Sequence, residues 1–158
     1  MQLVSEMRAR LADQWIPQIY EEKIRVGRTR SFDLPVKPRE NDPQILHTLL
    51  GVELKIGKAR VACPDLATAR YLSVFARLGC PKVAVPYDIT RLSGLADELD
   101  SAWHRMLLIF HDATKTANPQ QKGRQRSSLI RFLREEIVKI GAGSAMPLFN
   151  KPTKQRRN

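Results

Sequence analysis

Glu53 and Lys55 flank Leu54 in the stretch 52–56 (VELKI), and their two-residue spacing places a carboxylate and an amine on one face of a strand. Asp33 lies between apolar neighbours in 31–36 (SFDLPV), and Glu6 sits in the opening segment. Asp42 is closer in sequence to Glu53 and rivals Asp33 as a partner acid. His104 and His111 recur seven residues apart, near one face of a helix, but no third ligand accompanies them at a metal-site spacing. Cys63 and Cys80 form neither a disulfide framework nor a CxxC knuckle and read as small, buried, reduced residues of a cytoplasmic protein. No Ser/His/Asp order, Gly-rich phosphate loop or Rossmann fingerprint is present. The plain alternative is that Glu53 and Lys55 are a solvent-facing ion pair, Asp33 a turn residue and Glu6 one charge on a wet helix face.

Charge points to a class of partner. The 158 residues carry 27 lysines and arginines against 16 acids, a net charge of +11. An excess of this size favours a polyanion, nucleic acid first among them. No stretch approaches the roughly 20 apolar residues of a membrane span, and no signal-peptide pattern opens the chain. Arg25, Arg28, Arg30, Lys58, Arg60, Lys122, Arg124 and Arg126, with the basic C-terminal tail, are the expected phosphate-contacting set.

The elements that must position these residues follow from periodicity. Leu3, Met7, Leu11 and Trp15 predict an opening helix to about Ile16, with Pro17 ending it, kinking it or sitting late in it at some cost. The basic stretch 23–30 reads as a first strand and 31–36 as a second, before a proline-marked loop at 37–42. Residues 44–50 fit either a short helix or a strand. Val52–Ile56 and Ala59–Cys63 then form a hairpin across Gly57-Lys58. Asp65 caps a helix whose stripe is Ala67, Tyr71, Val74, Phe75 and Leu78, and Gly79 ends it. Val83–Val85 reads as a buried strand. Leu92, Leu95, Leu99, Trp103, Met106 and Phe110 line a long helix with Thr90 or Ser93 as cap, and 112–123 is a polar connection. A last helix spans about 127–140, stopped by Gly141. The expected organisation is one α/β domain over residues 1–142 and a basic, mobile tail over 143–158.

The order of these parts over residues 1–88, with VELK at 52–55, ARVAC at 59–63, FARLGCPKVAV at 75–85 and an acid at Asp33, resembles the PD-(D/E)XK nuclease superfamily, and within it the archaeal Holliday-junction resolvases. That resemblance implies a small mixed sheet with flanking helices, a restriction-endonuclease-like core, to which C-terminal helices are added. It also implies metal-dependent cleavage of DNA, branched DNA included, by a homodimer. Asp33 and Glu53 would ligate Mg²⁺ or Mn²⁺, Lys55 would assist the nucleophile, and Glu6 would hold a water in the second shell. Phe32 stands where the motif has proline, and the segment between Asp33 and Glu53 is long and proline-rich where a tight hairpin is usual. The alternative class is a non-catalytic, basic α/β protein that binds DNA or RNA.

Overall fold

The computed structural model describes residues 2–143. The opening helix α1 (Gln2–Leu11) buries Val4, Met7 and Leu11 at helical spacing. It stops at Ala12, which takes a left-handed φ of 52°. Trp15 is extended, and Pro17 lies in the first turn of α2 (Ile16–Ile19). Pro17 therefore starts a helix instead of ending one, because its missing N–H falls where no intrahelical acceptor exists. A π-helical turn, Tyr20–Ile24, follows directly. The basic stretch expected as a first strand is thus mostly helix and turn.

Five strands follow: β1 (Thr29–Asp33), β2 (Gln44–Thr48), β3 (Gly51–Ile56), β4 (Ala59–Cys63) and β5 (Lys82–Pro86). They form two separate sheets with antiparallel pairing throughout: β1 with β5, and β2-β3-β4 as a meander. The single mixed sheet expected from the resemblance is not formed, and two local causes are visible. Pro35, Pro38 and Pro43 bring no N–H to the segment between β1 and β2. Four of the donors that remain are used elsewhere: Leu34 N donates to Pro81 O, Val36 N to Leu34 O, Arg39 N to Lys37 O and Asn41 N to Arg77 O. The second cause lies on the far edge of β5. There the Tyr20 hydroxyl accepts from Ala84 N (2.9 Å), and the Tyr71 hydroxyl donates to Ala84 O (2.5 Å). Two phenols satisfy the groups that a third strand would have paired.

The expected hairpin is present. Ile56 and Ala59 close it around Gly57-Lys58, with Gly57 at φ +60°. Residues 44–48 resolve as strand, and its Leu46 pairs with Glu53. Helix α3 (Leu66–Leu78) lies between the meander and the long helix α4 (Leu92–Ala113), which explains why it is buried on several sides. Asp65 caps it through Thr68 N at 2.8 Å and Thr68 Oγ1 at 2.7 Å, and these bonds hold its carboxyl below the usual range. Gly79 ends it in the left-handed conformation at φ +79°, with Cys80 N reaching back to Phe75 O.

The stripe on α4 is buried as the periodicity predicts, with Leu99 fully enclosed. Its cap differs from expectation: Arg91 is the N-cap residue and makes no side-chain cap bond, while Asp88 caps the preceding 3-10 turn through Thr90. The last helix, α5 (Pro119–Ile140), starts earlier than its apolar pattern suggested. Asn118 and Gln121 form a reciprocal capping box, and Pro119 occupies the first turn. Both cysteines are free and buried. The tail expectation falls, beyond Gly143, outside the described residues.

Candidate nucleic-acid interface

The loop between β1 and β2 is braced from three sides. Asn41 Nδ2 donates to Lys37 O (3.1 Å) and Arg39 O (2.8 Å), which folds the loop on itself. Glu40 receives Arg126 of α5 in a two-pronged ion pair, Nε to Oε1 at 2.8 Å and Nη2 to Oε2 at 2.6 Å. On the third side the loop backbone rests on Gly79. A β-carbon there would stand 2.8 Å from Arg39 N and Lys37 O and closer still to Arg39 O.

This bracing presents Lys37 and Arg39 to a groove of about 480 Å³ that also holds Asn41 and Lys58 of the β3–β4 turn. Among the described residues, no carboxylate lines it. Arg39 also lines a second groove, about 210 Å³, against α5, where it meets Arg131 and Arg134. Glu40 is the acid of that groove and is already committed to Arg126, while Arg134 donates to Leu78 O at 3.0 Å. Lys58, Lys37, Arg39, Arg131 and Arg134 thus border two grooves that share Arg39, a surface suited to successive phosphates.

Only Lys58 of the expected basic set belongs to this strip. Arg25 donates to Thr29 Oγ1 at 3.2 Å, and its Nε is buried without a partner. Arg28 lies over the Tyr87 ring at 5.6 Å, and Arg30 is exposed on β1. Arg60 pairs with Glu53 at 3.2 Å. Lys122 lines a groove between α4 and α5, Arg124 is exposed, and Arg126 is consumed by Glu40. Sequence reading missed Lys37, Arg39, Arg131 and Arg134. The available signal was the cluster of cations with prolines at 35–39 (PVKPR), which reads as a generic loop until Asn41 and Gly79 are seen to shape it.

The expected acids sit on different elements. Asp33 is on β1 of one sheet, exposed, and faces Lys82 at 3.6 Å; Glu53 is on β3 of the other sheet. Asp42 precedes β2 and is four residues from Leu46, the partner of Glu53, or about 13 Å along an extended chain. Lys55 sits on the face of Glu53 in a cross-strand row with Gln44 and Arg60. Glu6 pairs with Arg10 at 3.7 Å on α1, which packs on α4. His104 and His111 line different grooves. Among the described residues, no group of three His, Cys, Asp or Glu side chains is placed to hold a metal ion. No helix among them is long and apolar enough to cross a membrane. Compared with protein-family models, curated proteins and solved structures, the chain matches none of them.

Proposed function

We propose that this chain is a nucleic-acid-binding α/β protein that grips the phosphate backbone through the strip Lys58–Lys37–Arg39–Arg131–Arg134. The observation that carries the reading is the acid-free groove held open by a braced loop, on a protein of net charge +11. A merely solvated cation gains little from such bracing, whereas a phosphate ligand gains from donors whose backbone is fixed before it arrives. The reading with a restriction-endonuclease-like core and Mg²⁺ shared by Asp33 and Glu53 has less support, because their strands belong to separate sheets and each acid faces a cation.

The test is the salt dependence of binding to a labelled oligonucleotide, read by fluorescence anisotropy. Each lost phosphate contact lowers the log–log slope by about 0.7 on a single strand and about 0.9 on a duplex. The combined variant Lys37→Ala, Arg39→Ala, Lys58→Ala therefore flattens the slope by roughly 2–3. An unchanged slope, or no binding at low salt, overturns the proposal. Incubating branched and linear DNA with Mg²⁺ or Mn²⁺ in the same preparation tests the metal-dependent alternative directly.

A further inference from the structure

Another groove, about 420 Å³, runs along α3 between β2 and α4, and two of the chain's three histidines line it. His47 comes from β2 and His104 from α4; Arg70 and Arg77 come from α3 between them, and Asp100 from α4. His104 Nδ1 lies 2.8 Å from Asp100 O. A carbonyl oxygen can only accept, so Nδ1 carries the hydrogen and the lone pair of the neutral ring is on Nε2. That tautomer makes His104 a proton acceptor at Nε2. Arg70 is neutralised by Asp97 (2.7 Å) and Asp100 (2.8 Å). Among the described residues Arg77 makes no ion pair; its guanidinium lies over the Trp103 ring at 5.8 Å. It is the cation of this groove left to meet an anion.

One backbone hydrogen bond ties a residue of this groove to a residue of the acid-free groove. Arg77 O holds Asn41 N at 3.0 Å, and Asn41 lines the acid-free groove.

The geometry points to a metal-independent ribonuclease site, with His47, His104 and Arg77 acting on single-stranded RNA; it rests on the nucleic-acid-binding reading above. His104 Nε2 takes the proton of a ribose 2′-hydroxyl, and the 2′-oxygen forms a bond to the adjacent phosphorus. The bond from phosphorus to the 5′-oxygen of the next nucleotide breaks, and protonated His47 gives that oxygen its proton. Arg77 stabilises the extra negative charge on the phosphoryl oxygens. The products are a 2′,3′-cyclic phosphate and a 5′-hydroxyl, with no metal, water or redox partner consumed. A single strand is the substrate because its backbone is free to turn the 2′-oxygen in line with the leaving oxygen, and the 2′-hydroxyl requirement excludes DNA.

The experiment incubates the full chain with a 5′-labelled single-stranded RNA in EDTA, resolves the product ends, and measures binding of the same RNA in parallel. The expected result is cyclic-phosphate ends, no cleavage of the DNA of the same sequence, and rates about 10²–10⁴-fold lower for His47→Ala and His104→Ala. Both side chains are exposed. Their variants should therefore keep the wild-type melting temperature. The pH–rate profile adds a readout that a structural role would not move. The two rings share their groove with Arg70 and Arg77 from α3 and Asp100 from α4. A neutral base and a protonated acid give a bell; His104→Ala removes its acidic limb and His47→Ala its alkaline limb. RNA that binds without being cut, or cleavage that survives in both variants, overturns the ribonuclease site while leaving the binding reading intact. RNA that does not bind at low salt overturns both.

Discussion

Replacing Gly79 by alanine tests whether the cationic loop is held where the structure places it. The residue sits at φ +79°, and a non-glycine side chain in that region costs about 1–2 kcal/mol on conformational grounds alone. The new β-carbon would also meet Arg39 N and Lys37 O at 2.8 Å, against the 3.4–4 Å of ordinary contact. Those are backbone atoms, braced by Asn41 and by the Glu40–Arg126 pair, so the loop must retreat as a unit. Retreat breaks the bond from Asn41 N to Arg77 O, worth about 0.5–1.5 kcal/mol. The sum is about 1.5–3.5 kcal/mol. Gly57→Ala is the internal control: its φ is +60° and nothing lies within 4 Å of the added carbon, so it should cost only the conformational part, about 1–2 kcal/mol. Urea unfolding measures both, and RNA-binding slopes for Gly79→Ala should fall as Lys37 and Arg39 move. A Gly79→Ala variant no less stable than Gly57→Ala, or one that binds RNA with an unaltered slope, would refute the claim that Gly79 seats the loop.

Four further outcomes are expected. Leu99→Ala, at a fully buried position on α4, should cost about 2–5 kcal/mol in denaturant unfolding. Tyr20→Phe should cost about 1–3 kcal/mol, since it strands the buried Ala84 N–H and frees Gly141 O of its donor. Burial pushes Tyr20 up to about 12 and Tyr71 well above its ordinary value, while unfolded phenols titrate near 10. Between those pH values the native state keeps protons that the unfolded state loses, so stability should fall as pH rises from about 10 towards 12. Urea midpoints through that range check the sign, and Tyr20→Phe should flatten the fall. Burial also pushes the Cys80 thiol up to about 12, so it should resist thiol reagents at pH 8 until the protein is denatured.

The legible part of the sequence was the part written in local rules. The Asp65 cap, the Gly79 stop, the Gly57-Lys58 turn and the α4 stripe each depend on residues a few positions apart, and each forms as read. Pro17 was misread because one proline signal serves both the end of a helix and its first turn, and only the backbone at Ala12 and Trp15 decides between them. The start of α5 was missed for lack of apolar periodicity before Leu129, although Asn118, Pro119 and Gln121 spell a capping box. Sheet membership was not local at all. It depends on Tyr20, 64 positions from Ala84, arriving with its hydroxyl at one edge. The candidate site follows the same division: Lys58 was visible as a charged turn residue, whereas Arg39 and Arg134 acquire a shared setting only when α5 packs beside the loop.

The two phenols on Ala84 bear on the order in which this chain acquires its structure. A strand bordered by another strand is shielded as soon as that neighbour pairs; β5 is shielded on its far side only by side chains from helical segments. Until those segments dock, Val83-Ala84-Val85 is a short apolar ribbon with one open edge, able to recruit the same ribbon from another molecule. Loss of a single hydroxyl at Tyr20 or Tyr71 thus exposes newly made chains to aggregation as well as weakening the finished fold, and the yield of soluble protein on refolding should drop with rising concentration.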